Sequence, residues 1–336
     1  MRDFNLEHYL EAGRAVMARR GEAETIARAV TEKGYDNIVI TAIGGTWARW
    51  YAVAHVMRRL TTVPVYLENS AELCLSLSKP FLTEKSLVLT GSNSGNTKEI
   101  LEAAEMCREL GATVYSFVEP ESCPLKDLSD YCISVPLAYG EDIYLIMYLM
   151  GLSLLWARGD MPEYPDWADQ MDQLHPAFVK VKEQFDPKAA VIAKKYHKAP
   201  YVLMTSSGIL KEIGYWFCMC VLEEMQWIRA NSVCSPDFFH GTLEVLEDGV
   251  PLFLVKGEDE FRPLDERVER FATKVCEDVV VFDTKEYALE GIEDRFRVIC
   301  SPMLIATMLS ERLEVHLQLN TGHSLEFRRY YRQIEY

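Results

Sequence analysis

At 336 residues with 49% apolar side chains, the chain is long enough for two α/β lobes or one large domain with a sizeable core. Its formal net charge of -16 gives a field that repels nucleic acid and anionic membrane, both of which are bound mainly through Lys and Arg, so neither is expected as a partner. The nine cysteines contain no CxxC pair, the N-terminus has no apolar signal core, and no apolar run is long enough to span a bilayer, a pattern that predicts a cytoplasmic protein with reduced thiols and no zinc site.

In chain order, residues 36–45 ("DNIVITAIGG") form a β-branched run ending in glycines, and residues 46–60 follow with helical spacing of apolar side chains. Further strands are expected at 63–69, 86–92, 113–119 and 131–137, with an amphipathic helix at 97–110. Residues 141–156 read as a long apolar helix, and the acidic, Pro-containing stretch 158–172 marks a boundary. The pattern then restarts: strand 201–208, helix 209–228, strands 251–257 and 279–284, and a late helix at 301–316. Strand–helix alternation of this kind predicts an α/β fold with parallel sheets covered by helices on both faces. We read an N-terminal lobe at 1–158, a helical connector at 159–187 and a C-terminal lobe at 188–336, closed by a tail at 322–336 rich in aromatic and charged groups that is expected to pack on something.

The strongest chemical signal in the first lobe is "LVLTGSNSGNTKEI". A strand runs into a loop holding Ser92, Ser94, Gly95 and Thr97, and a helix begins at once, so hydroxyls and backbone N–H groups meet the positive end of a helix dipole, as a phosphate requires. An ordinary Ser/Thr helix cap would need only one hydroxyl. No Gly-Lys-Ser/Thr follows, and "IGGTWA" is not a GxGxxG fingerprint, which favours a small phosphorylated metabolite over a nucleotide. The corresponding stretch of the second lobe, "LVKGEDEFR", carries carboxylates that would repel a phosphate.

A second signal is "EEMQWIRANSVCSPDFFHG", residues 223–241. On a helix at 209–228, Ile213, Phe217, Cys220, Glu224 and Ile228 share a stripe, which would desolvate Glu224 and suit it to act as a general base. The other reading is a core carboxylate paired with Lys211 or Arg229. Glu223, on a stripe with Glu212, Trp216, Met219 and Trp227, is the competitor. His240 follows in a loop with an ordinary pKa near neutrality, although a lone histidine beside two phenylalanines is by default a packed one.

These residues carry a family resemblance. "SNSGNT" resembles the S-x-S-G-x-T loop of sugar isomerase (SIS) domains, and the two lobes with their "AIGGT" and "MTSSG" loops resemble tandem SIS proteins, whose domains are flavodoxin-like. "EEMQWI", "DFFHG" and the ending "RRYYRQIEY" are similar to those of fructosamine 6-phosphate deglycases. The resemblance implies hydrolysis of a 6-phosphorylated sugar–amino acid adduct to a hexose 6-phosphate and a free amino acid, with no metal or organic cofactor. It implies Glu224 as the base, and His240 as an aid to ring opening, contributed across the interface of a homodimer or higher homo-oligomer. It also implies Ser92, Asn93, Ser94 and Thr97 on the 6-phosphate, with Gly45 and Thr46 lining the sugar.

Departures bear on the choice of reaction. Thr242 stands where Pro usually follows "HG", Asp237 replaces the usual Glu, and Val221 occupies the place of a lysine in the aminotransferring relatives, which argues against aminotransfer. The rivals are a phosphosugar aldose/ketose isomerase using the same base, and a non-catalytic sugar-phosphate regulator, for which no DNA-binding helical domain is attached.

Overall fold

The computed structural model describes residues 1–335; Tyr336, the last residue of the expected C-terminal lobe and tail, lies outside the described residues. The chain divides into two compact units, Glu7–His175, and a second formed by Met1–Leu6 with the chain from Pro176 onward. The division falls inside the helix Leu174–Tyr196.

The first unit is built on five parallel strands, β1 (Asn37–Ala42), β2 (Val65–Asn69), β3 (Ser86–Ser92), β4 (Thr113–Val118) and β5 (Tyr131–Ser134), in the order β2-β1-β3-β4-β5. Every residue of β1, β3 and β4 is buried, because helices cover both faces of the sheet. These strands therefore read in the sequence as continuous apolar runs rather than alternating ones. The edge strands β2 and β5 are only half-buried. On the helix Lys98–Glu109, Ile100, Ala104 and Cys107 fall at helical spacing and pack on Val88 of β3 and Val114 of β4. The helix Gly140–Arg158 is buried without a break over residues 141–155, which makes it the central helix of this core and explains an apolar surface on all sides. Among the described residues no helix is long and apolar enough to cross a membrane.

From the C-terminal ends of β1 and β3 the chain leaves toward opposite edges of the sheet. Such a switch point opens a crevice, and in sheets of this class ligands bind there. The "IGGT" and "SNSGNT" loops both start at this point.

The second unit has four parallel strands, β6 (Val202–Ser206), β7 (Ala230–Cys234), β8 (Leu252–Lys256) and β9 (Val279–Asp283), in the order β7-β6-β8-β9. This is the order of the first unit without its fifth strand. Strand β7 was not expected from the sequence. It is an edge strand whose Asn231 and Ser232 face outward or sit half-buried, so it lacks an apolar run.

The helix expected at 209–228 is also corrected. It consists of a 3-10 turn (Gly208–Leu210), a single α turn (Ile213–Trp216) and a π-helical stretch (Phe217–Glu223), and it stops there. The Glu224 N–H donates to the Met219 carbonyl (3.0 Å) and that of Gln226 to Val221 (3.0 Å), each five residues back. Trp227 then takes a left-handed φ of 55°, a strained conformation for a bulky side chain.

Candidate active site

Ser92 closes β3 with its side chain buried (3% exposed), and its hydroxyl lies 2.9 Å from that of Thr97 and 3.4 Å from that of Ser94. The Gly95 N–H donates to Ser92 Oγ at 3.2 Å. Gly95 has φ +65°, and a Cβ there would meet Cys123 Sγ at 2.2 Å, so this turn requires glycine. Thr97 is the N-cap of Lys98–Glu109; its carbonyl accepts from the N–H groups of Ile100 (3.1 Å) and Leu101 (3.0 Å), but its side chain makes no cap bond, so its hydroxyl stays with Ser92 at the helix's N-terminal end, a place suited to an anion. The three hydroxyls expected to act together are thus brought together.

Asn93 is half-exposed, and its carbonyl accepts from the Glu119 N–H at 3.0 Å, tying this loop to the end of β4. Asn96, which the sequence reading passed over, accepts from Ser94 Oγ at 2.6 Å and so orients that hydroxyl. Gly45 and Thr46 lie in the first turn of the helix Gly44–Leu60, half-buried, at the crevice side of β1. The Gly45 carbonyl accepts from Arg49 Nη1 at 3.3 Å.

In the second unit the corresponding loop after β8 is filled by the protein itself. The buried Asp259 carboxylate accepts from the Ile209 N–H (2.7 Å) and the Phe261 N–H (3.1 Å). A Cβ on Gly208 would meet its Oδ2 at 2.1 Å. An acidic side chain thus occupies the spot that an anion would take.

Glu224 does not sit on the apolar stripe expected for it. The π-turn rotates the chain out of α-helical register, and the carboxylate is 25% exposed. It pairs with neither Lys211 nor Arg229: Arg328 Nε, 104 positions later in the tail, donates to Glu224 Oε1 at 2.7 Å. Glu223 is exposed. A pocket of about 570 Å³ is lined by Glu224, Trp227, Arg229, Arg328, Arg329 and Tyr330, among others. The tail expected to pack on something is anchored at its root, where Thr321 Oγ1 donates to Gln226 Oε1 (2.7 Å) and Gln226 Nε2 to the His323 carbonyl (3.0 Å). Farther along, the Arg329 guanidinium lies 3.8 Å from the Trp227 ring centroid. Trp227, Arg328 and Arg329 were not singled out from the sequence. The signals were the mix of aromatic and basic groups in the tail and the resemblance of "EEMQWI" and "RRYYRQIEY" to the deglycases.

His240 is exposed, and the packed-histidine alternative fails. Its neighbours supply the packing instead: Phe238 is fully buried, and Phe238 and Phe239 stack edge-on against Phe271. Among the described residues the His240 ring makes no hydrogen bond, ion pair or ring contact. Asp237 accepts from Cys234 Sγ at 3.0 Å.

Residues 33–155 match the SIS domain family, so the first unit is a SIS domain. The second repeats its strand order, which is consistent with a second SIS domain. Over nearly its whole length it is similar to fructosamine deglycase FrlB of Bacillus subtilis (strain 168), with 28% identity over 322 residues that make up 94% of this chain and 97% of that protein. It is also similar to fructoselysine 6-phosphate deglycase of Escherichia coli (strain K12), 24% identical over 91% of this chain and 88% of that one. Among solved structures, a candidate phosphosugar isomerase of Bacillus subtilis superposes with a TM-score of 0.89 at 26% identity, covering 96% of this chain and 99% of the other.

Proposed function

We propose that the protein hydrolyses a 6-phosphorylated sugar–amino acid adduct to a hexose 6-phosphate and a free amino acid. The observation that carries this reading is the convergence of Ser92, Ser94 and Thr97 on a helix N-terminus, a phosphate seat, in a chain similar to deglycases over 94% of its length.

In this reading the first unit anchors the 6-phosphate, with Asn93 assisting and Gly45 and Thr46 beside the sugar. Glu224 removes the C1 proton of the open-chain ketosamine, the electron pair moves toward the C2 carbonyl, and an enaminol forms. Reprotonation at C2 gives the C1 imine, and water adds to C1 and expels the amine. The net change is addition of one water, so no redox partner enters. His240, exposed on its own chain, assists ring opening from the neighbouring subunit of a homodimer.

An aldose/ketose isomerase would use the same base and stop after the proton shuttle, a second reading favoured by the likeness to a candidate phosphosugar isomerase. Incubation with 6-phosphorylated fructose-amino acids and glucose-amino acids, following glucose 6-phosphate with a coupled dehydrogenase, separates the two. Release of glucose 6-phosphate with free amino acid is expected. No release from any of them, with interconversion of fructose and glucose 6-phosphates instead, would establish the isomerase. Glu224→Gln should slow release about 10²- to 10⁴-fold, the usual contribution of a positioned general base. Normal turnover by this variant would transfer the role to Glu223.

A further inference from the structure

The Arg328–Glu224 contact conflicts with the task given to Glu224. A carboxylate oxygen that accepts a charge-assisted hydrogen bond from a guanidinium is less available to accept a proton, and the pair is largely shielded, at 16% and 25% exposed. Arg328 is itself held in place by the tail, since its Nη1 donates to the carbonyls of Leu325 and Phe327. Its Nη2 has no partner among the described residues. One side of the guanidinium fork is therefore fixed, and the rest is available to a second carboxylate.

The surrounding pocket favours such a group. Arg229, Arg328 and Arg329 face it against Glu223 and Glu224, so its charge is balanced by one further anion. Trp227 and Tyr330 give it apolar walls suited to a side-chain stem, and about 570 Å³ is the size of a small-ligand site.

We propose that Arg328 is the specificity-determining residue for the amino-acid part of the substrate: its Nε rests on Glu224 in the free protein, and the carboxylate of the arriving adduct, taken up by the free Nη2, draws the guanidinium off Glu224 and so releases the base. This inference rests on the deglycase reading above. It gives the protein a means of withholding its base from sugar phosphates that carry no amino acid. The 6-phosphate is the other anion of the substrate, and the test must tell the two apart.

The test compares kcat/KM for two pairs of 6-phosphorylated probes: fructose-glycine against fructose-methylamine, and ε-linked fructose-lysine against its decarboxylated counterpart, the fructose-cadaverine adduct. Each pair differs only in the carboxylate, and every member keeps its phosphate. The wild type should prefer the carboxylate member of at least one pair by roughly 10- to 100-fold, as expected for a charge-assisted hydrogen bond. In Arg328→Gln that preference should collapse, because the carboxylate adduct slows while the decarboxylated one holds steady or speeds up as Glu224 is freed. Arg328→Lys, which keeps the charge but loses the fork, should fall in between.

Equal slowing of both members in Arg328→Gln would overturn the proposal and leave Arg328 as a group that merely positions Glu224 or serves the phosphate. So would a wild type indifferent to the carboxylate in both pairs. No hexose phosphate from any of the four probes defeats the deglycase reading itself, and this inference with it. Melting curves check that the variants fold. If Arg328→Gln does not, an unchanged preference in Arg328→Lys overturns the proposal.

Discussion

Asp265 sits in an environment that opposes what its chemistry prefers. Burial pushes its pKa up to about 7 against an ordinary value near 3.8, and the neighbouring Asp259 adds to the rise. A hydrogen bond from Ser235 Oγ at 2.5 Å, another from Ser207 and the charge of Arg262 all oppose it, and burial wins. The folded protein therefore holds this proton over a range where the unfolded chain has lost it. The stability that Asp265 contributes is complete below about pH 4 and is lost as pH rises to about 7, after which it stays flat. Asp265→Asn keeps the neutral shape and removes the titration. Relative to the wild type, the variant should gain roughly 2–4 kcal/mol between pH 4 and pH 8, the order set by a shift of this size. Denaturant unfolding of both proteins across that range measures the difference, and two curves that stay parallel would refute the assignment.

At the scale of elements, the two units apply one strand order to different ends. After β3 the turn offers hydroxyls and a helix N-terminal end, whereas after β8 Asp259 closes the equivalent place with its own carboxylate. The wild type should therefore bind one hexose 6-phosphate per chain by calorimetry, and a stoichiometry of two would overturn this. Asp259→Ala should lower stability by about 1–3 kcal/mol, because it strands the N–H groups of Ile209 and Phe261 away from a partner. Most of this architecture was legible in the sequence, since strands covered on both faces read as unbroken apolar runs and the "SNSGNT" turn concentrates its polar groups within six positions. Strand β7 was not legible, because an edge position lets Asn231 and Ser232 stand where apolar residues would have marked a strand. The π-turn was not legible either: helical stripes assume 3.6 residues per turn, and the departure over Phe217–Glu223 moved Glu224 off the apolar face. The pairing of Glu224 with Arg328 joins residues too far apart in the chain for any local pattern to reveal. The "FFH" order gave no indication that the two rings pack while His240 stays exposed.

For the whole molecule the open matter is assembly. Phe327, Tyr330, Tyr331 and Ile334 of the tail are 45–61% exposed, a density of apolar surface that marks an interaction face, and His240 is exposed as well. Both fit a homo-oligomer in which each site takes Glu224 from one chain and His240 from its neighbour. Symmetric pairing then makes a definite demand. Glu224→Gln and His240→Ala should each be nearly inactive alone. In a dimer of one chain of each kind, one site carries both defects and the other carries none. Random mixing makes half the dimers of this kind, so co-expression should restore about a quarter of wild-type hexose phosphate release. If both groups came from the same chain, every site would carry one defect and mixing would restore nothing. Lack of recovery in a mixture shown by mass spectrometry to contain mixed dimers, or a wild type that sediments as a monomer while active, would place His240 within its own subunit or outside the chemistry.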